Sequence, residues 1–385
     1  MKDRSRWSRR EFLQLASCVG AVSFGSPLLS RLGRAKGSIA ARFAYVGFGG
    51  EGAKDEGIAV FDLRGGQWKR AGVLSSAAPS SLTLDAGERF LYAVNEVDEY
   101  EGLPSGTVEA YAIDDADGSL KLVNRQRLSL SATAPRHAAV SPDGKALVVA
   151  VRGGGAYNVL PLAQDGGVGA VSGILKETGS GPHARQRSAH PQMVLFDRAG
   201  RVVTADLGSD RLSVLKLEDA RLSIIARHPA QPGEGPSQLA FHPDGRLLFV
   251  ANELDASVVC YRYDASQGSI VGRGVRIATS RHTKTGGVVM VVDSRGDFLY
   301  TAHRVGGDGV SVWQIARDTD GLECVAAEGG PRLHQLTMTA DGTCLLGIGR
   351  EDSGVFGWRV GKGQISRGVR LAGVAAPLSM ATKSL

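Results

Sequence analysis

The sequence is punctuated by six copies of a short turn, each followed at once by an apolar run. They read DAGERFLYAV from Asp85, SPDGKALVVAV from Ser141, DRAGRVVTADL from Asp197, HPDGRLLFVAN from His242, DSRGDFLYTAH from Asp293 and TADGTCLLGIG from Thr339. The turn glycines stand at 87, 144, 200, 245, 296 and 342, at intervals of 57, 56, 45, 51 and 46 residues. A strand-rich unit of that length matches a four-stranded propeller blade rather than a helical solenoid repeat. The turn chemistry agrees. Asp or Pro opens it, glycine takes the positive φ, and the run behind it makes an inner strand buried on both faces.

Six turn units plus the material before Asp85 predict seven blades, an all-β seven-bladed β-propeller over residues 41–385. Turn-bounded hairpins support this: GIAVFDLRGGQWKRAGVL from Gly57, TVEAYAIDDADGSLKLV from Thr107, RLSVLKLEDARLSII from Arg211, SVVCYRYDASQGSIV from Ser257 and VSVWQIARDTDGLECV from Val310. Closing the ring removes a free sheet edge. The N-terminal strand is expected to complete the last blade, with the stretch after Gly354 supplying its other strands.

Residues 1–40 read as a targeting segment. Ser8-Arg9-Arg10-Glu11-Phe12-Leu13 matches the twin-arginine export pattern, with an apolar run from Leu13 to Leu29 and small residues from Ala35 to Ala41. The expectation is a periplasmic or secreted protein that meets the twin-arginine export machinery and keeps no membrane anchor after processing. The string Leu15-Ala16-Ser17-Cys18 resembles a lipoprotein box, but it lies too close to the arginines to leave a full apolar region. The first 36 residues hold eight Lys/Arg and two Asp/Glu, leaving 37 of each sign in the remainder. The basic character therefore belongs to the leader, and nucleic acid is not an expected partner. Cys260, Cys324 and Cys344 show no CxxC spacing; a Cys324–Cys344 disulfide is conceivable, but Cys260 and Cys344 lie in apolar strand-like runs and read as buried small hydrophobes. No His/Cys/Asp spacing suggests a metal, and no cofactor is expected.

Two stretches break the regularity, YEGLPSG from Tyr100 and KETGSGPHARQRSAHP from Lys176. Long polar loops in a compact domain commonly carry function. The second runs directly into an expected inner strand, which puts it on the axial face of the ring.

Four strings give a family resemblance: LYAVNEVDEYEGLPSGTVEAYAID from Leu91, GSGPHARQRSAHPQMVLFD from Gly179, ADLGSDRLSVLKL from Ala205 and GPSQLAFHPDGRLLFVANELDASVVCY from Gly235. Together they resemble the lactonase family of seven-bladed propellers, the 6-phosphogluconolactonase type that also contains fungal muconate-lactonizing enzymes. The resemblance implies a site at one mouth of the central channel. It carries over the glutamate of the NEL segment as Glu253, the later arginine as Arg304, and the first histidine of an HxH motif as His190. The second histidine of that motif is Gln192, and the GPRH segment has become Gly235-Pro236-Ser237-Gln238. A Gly286-Gly287-Val288 run replaces a further histidine, while a second GPR stands intact with Arg332.

The resemblance implies an exported hydrolase that opens a lactone, with Glu253 as base and arginines stabilising the oxyanion. The catalytic candidates are Glu253, Arg304 and His190. The substrate-binding candidates are Arg332, Gln192, Ser237, Gln238, Arg136 and His137, the last two in a segment that can replace the lost arginine and histidine. Loss of the GPR arginine removes a clamp for a phosphorylated or carboxylated substrate, so a neutral or differently charged sugar lactone is expected. Glu96 reads as a brace of the channel, Asp206 and Asp210 as bracing carboxylates, and His242 as a turn starter. The competing reading is a propeller that has lost catalysis and binds a carbohydrate or a protein, because a propeller ring alone does not specify function.

Overall fold

The structure, a computed structural model, describes residues 41–50, 52–279, 286–306, 309–316 and 321–384. The twin-arginine segment and the rest of residues 1–40 lie outside them. Among the described residues every regular element is a β-strand, arranged in seven separate antiparallel sheets. Each sheet is one blade, and the chain is a seven-bladed β-propeller.

The innermost strands are Pro79–Leu84, Pro135–Val140, Pro191–Phe196, Pro236–Phe241, Val288–Val292 and Gln335–Met338 in blades 1 to 6, and Pro377–Lys383 in blade 7. Each touches the innermost strand of both neighbouring blades, so together they enclose a central channel. Side chains stitch this ring. Thr83 donates to the Ala138 carbonyl at 2.8 Å, Gln238 Oε1 accepts from the Met290 amide at 2.8 Å, and Gln335 exchanges two bonds with the Met380 backbone at 2.8 and 2.9 Å.

The repeated turn follows this innermost strand, so the apolar run behind it is the second strand of the blade. These second strands, such as Ala146–Val151 and Leu247–Asn252, are buried nearly throughout. The reason lies in the period-two alternation of a strand. Leu91 and Ala93 of blade 1 pack into the seam with blade 7, whereas Tyr92 and Val94 pack into the seam with blade 2. Each of the seven seams holds one apolar cluster of this kind. A fully buried Val or Leu contributes about 1.5–3 kcal/mol, so the ring is held by many equal seams rather than one core.

Two local expectations are corrected. In the first turn copy the left-handed residue is Glu88 (φ 51°) rather than Gly87, while the other five copies use glycine at φ 67–78°. Glu88 bears a Cβ in a region costly for L-residues, and its carboxylate is held by the Ser384 amide and hydroxyl at 2.7 and 3.0 Å. The closing blade also differs. Gly354–Gly361 and Val369–Gly373 complete blade 6, and only Pro377–Lys383 crosses over, pairing with Phe43–Phe48 to join three N-terminal strands. Cys344 is a thiol, so the conceivable Cys324–Cys344 disulfide is not formed.

Candidate functional site

The residue that follows each second strand arrives at one mouth of the channel. In five blades it stands eight positions after the left-handed turn residue, as Glu96, Arg152, Glu253, Arg304 and Arg350. In blade 3, whose second strand Val202–Asp206 is one residue shorter, it is Leu207. The repeat therefore gathers charges that are far apart in sequence.

Glu96, Arg136, His137, Gln192, Ser237, Gln238, Arg304, His334 and Arg350 line a channel cavity of about 270 Å3. A second cleft of about 350 Å3 adjoins it, sharing Gln192 and lined further by Arg152, Arg185 and His190. Two carboxylates organise the arginines. Glu96 accepts from Arg136 at 2.7 Å and from Arg152 at 3.1 Å. Glu253 Oε2 accepts from Arg304 at 3.2 Å, and its Oε1 accepts from Arg185. Glu253 is only 8 % exposed and lies behind these two arginines.

Local backbone fixes these groups. The Glu253 amide donates to the Gly235 carbonyl at 2.8 Å, and the Glu253 carbonyl accepts from the Gly286 and Gly287 amides, both at 3.3 Å. Gly287 has φ 75°, and a Cβ there would lie 3.0 Å from Arg304 Cδ, so a side chain at 287 would press on the arginine. The run that displaced a family histidine thus makes room for the ion pair. Arg185 comes from the loop 177–190. It is positioned by buried Gln186, which donates to the Leu207 carbonyl at 2.8 Å and accepts from the His183 amide at 2.9 Å.

The electrostatics follow from burial among arginines. Burial acts to raise the Glu253 pKa, but Arg304, Arg185 and Arg136 outweigh it and hold the carboxyl below its usual range. Arg304 is lowered, first by burial and then by Arg136 and Arg185, and its Nε has no hydrogen-bond partner. Burial and Arg136 push His137 down to about 4. His334 is also pushed down to about 4, by burial and by Arg304, Arg350 and Arg136 against Glu351. Both imidazoles are neutral near pH 7.

The structure brings most of the candidates together. Arg304, Gln192, Ser237, Gln238, Arg136 and His137 line the channel, Glu253 stands behind them through its pair with Arg304, and His190 lines the adjoining cleft, its ring 3.2 Å from the Ser188 hydroxyl. Several of their polar groups serve the ring itself. Ser237 donates to the Ala251 carbonyl at 3.2 Å, Gln192 to the His190 carbonyl at 3.1 Å, and Gln238 bridges to blade 5. Arg332 lies outside this lining, its amide bonded to Asp352 at 3.0 Å. Arg185, His334 and Arg350 are members that sequence reasoning missed, although Arg350 shares the eight-residue offset of Glu253 and Arg304. Asp206 and Asp210 accept backbone amides of His190, Gly208, Gly233 and Gly235 as loop braces. His242 links its own turn to the next blade through the Gly296 carbonyl at 3.0 Å. Among the described residues no His/Cys/Asp/Glu group has the arrangement of a metal site.

Comparison with known proteins agrees with the fold. Residues 43–371 match the family described as lactonase, seven-bladed β-propeller. A Bacillus subtilis 6-phosphogluconolactonase is 29% identical over 300 residues, 74% of this chain and 82% of that protein. Among solved structures, the Pseudomonas aeruginosa periplasmic gluconolactonase superposes with a TM-score of 0.79 at 22% identity, covering 89% of this chain and 99% of that one. A Lactobacillus plantarum protein superposes with a TM-score of 0.77 at 21% identity, covering 88% and 98%. Both structural likenesses are likenesses of fold. With a family match over most of its length and the ring of seven blades that the family name describes, the chain belongs to the lactonase family of seven-bladed β-propellers.

Proposed function

We propose that the protein is an exported lactonase that hydrolyses a sugar lactone at the mouth of its central channel. The carrying observation is the Glu253 carboxylate paired with Arg304, which lines the cavity, and with Arg185, which lines the cleft. In this reading Glu253 takes a proton from water, and arginine charge stabilises the oxyanion formed at the lactone carbonyl. The twin-arginine pattern at Ser8–Leu13 and the likeness to a periplasmic gluconolactonase support export to the periplasm.

The arrangement at the mouth also revises the expectation about substrate charge. Arg136 occupies the channel despite the loss of the GPR arginine, and Arg152, Arg185, Arg304 and Arg350 accompany it. Against these five arginines stand Glu96 and Glu253, with Glu351 beside His334. A lactone carrying an anionic group is therefore as well matched to the mouth as a neutral one.

The test is lactone hydrolysis followed with a pH indicator, using D-glucono-1,5-lactone, other sugar lactones and 6-phosphogluconolactone. Turnover that Glu253→Gln abolishes is the expected result. No turnover above the uncatalysed background on any lactone would overturn the hydrolase reading in favour of a ligand-binding propeller.

A further inference from the structure

Both oxygens of Glu253 are engaged by arginines, and only 11 % of its side chain is exposed. Its Oε2 accepts from Arg304, which lines the cavity, and its Oε1 from Arg185, which lines the cleft. The two arginines are not equivalent. Arg304 follows a second strand of the ring, its side chain is 22 % exposed, and its amide is fixed to the Gly287 carbonyl at 3.1 Å. Arg185 rides on the loop 177–190, with its side chain 52 % exposed. It reaches past blade 3 to a carboxylate of blade 4, and it also lines the open cleft beside the cavity. One partner belongs to the scaffold, and the other can leave.

We propose that Arg185 is a loop-borne catalytic residue that exchanges Glu253 for the lactone carbonyl, so that substrate binding itself frees the base from one of its two ion pairs. The inference rests on the hydrolase reading above and deepens it. In the free protein Arg185 holds Glu253 Oε1 in an ion pair. An incoming lactone presents its carbonyl oxygen to the Arg185 guanidinium, and Glu253 Oε1 is released to accept a hydrogen bond from water. The water oxygen then bonds to the carbonyl carbon as its proton passes to Glu253, and the carbonyl electron pair becomes an oxyanion held by Arg185. Collapse of the oxyanion breaks the ring C–O bond, and the departing alkoxide takes the proton from Glu253. Lactone and water give the hydroxy acid, and the enzyme returns unchanged for Arg185 to close on Glu253.

The loop is built for a small displacement of this kind rather than for wholesale opening. Buried Gln186, next in sequence, pins the loop to the Leu207 carbonyl and the His183 amide, so the backbone stays while the Arg185 side chain swings. Gly208 sits against the Ser188 carbonyl so closely that any Cβ would collide with it at 1.8 Å, fixing the far end of the loop. The charged groups that act most strongly on Glu253 are Arg304 of blade 5, Arg185 of the loop and Arg136 of blade 2. Removing Arg185 therefore leaves two arginines on Glu253 and moves its titration upward.

The experiment compares full-length wild type, Arg185→Gln and Arg185→Lys on D-glucono-1,5-lactone and 6-phosphogluconolactone, measuring kcat and KM across pH. Loss of an oxyanion donor predicts a fall in kcat of about 10²–10³-fold for Arg185→Gln, partly restored by Arg185→Lys. The acid limb of kcat/KM moves to higher pH in Arg185→Gln, a change that a merely structural loop residue would not produce. Arg185 is half exposed, so thermal melting is expected to be close to wild type and serves as the folding control. An active wild type with unchanged kcat and an unmoved acid limb in Arg185→Gln would overturn this inference and leave the hydrolase standing. A wild type inactive on every lactone would overturn the hydrolase reading, and this inference with it.

Discussion

Replacing Glu253 by glutamine keeps the shape of the side chain and removes its charge, which makes it the sharpest probe of the site. At neutral pH the Glu253 carboxylate faces Arg304 at 3.2 Å, with 11% and 22% of the two side chains exposed. Two unit charges at that distance in an effective dielectric of about 20 attract by about 5 kcal/mol, most of which is cancelled by the desolvation of both ions. The one-sided variant is different, because it leaves Arg304 buried without its carboxylate. Breaking a fully buried pair in this way costs about 3–5 kcal/mol, and the partial exposure of Arg304 and the freedom of Arg185 to turn to solvent reduce that to about 2 kcal/mol. We expect Glu253→Gln to melt roughly 2–5 °C below wild type while turnover falls by 10²–10⁴-fold, the range for loss of a general base. A double-mutant cycle with Arg304→Met isolates the pair. Thermal denaturation of the four proteins should give a coupling of about 1–2 kcal/mol, with the double variant more stable than the two single losses would sum to. If Glu253→Gln melts with wild type and the cycle is additive, the pair is not electrostatically coupled, and Arg304 does not hold the carboxylate in its charged form.

Three further outcomes follow from the same geometry. His334 is held at about 4 against 6.5 for a free histidine, facing Arg304, Arg350 and Arg136 with Glu351 at 3.6 Å. The unfolded chain binds this proton first as pH falls, so stability is full above about 6.5 and declines toward 4 by about 3 kcal/mol. His334→Gln should flatten that decline in urea titrations, and an unchanged slope would refute the assignment. Arg350 lines the cavity and Arg332 does not, so Arg350→Ala should raise KM at least about tenfold on an anionic lactone. Arg332→Ala should leave KM within about twofold, and the reverse ranking would return Arg332 to the site. Ending the chain at Ala376 deletes the strand that pairs with Phe43–Phe48 and lines the channel. That variant should lose its cooperative melting transition and self-associate in size-exclusion chromatography through the opened ring.

The periodic turns, with their glycines and apolar runs, dictate the number of blades, because each blade is a local unit whose strands pair with sequence neighbours. Periodicity also carries much of the site. The offset that brings Glu253 and Arg304 to the mouth also brings Arg152 and Arg350. Closure is different: whether the ring ends share one strand or three depends on pairing between the two ends of the chain, and no local signal distinguishes Pro377–Lys383 as the lone crossing strand. The partners of Glu253 are likewise a matter of tertiary structure. Arg185 and Glu253 are 68 residues apart, and the distance from a loop of one blade to a strand end of another is set by the curvature of the ring. The second GPR shows the limit from the other side, because its Arg332 keeps the motif yet pairs with Asp352 outside the cavity. Local sequence dictates which residues recur at equivalent places in each blade, since backbone hydrogen bonding and strand alternation act between near neighbours. The closed ring alone selects which charges meet, since Coulomb interactions depend on distances through space that the seven seams impose.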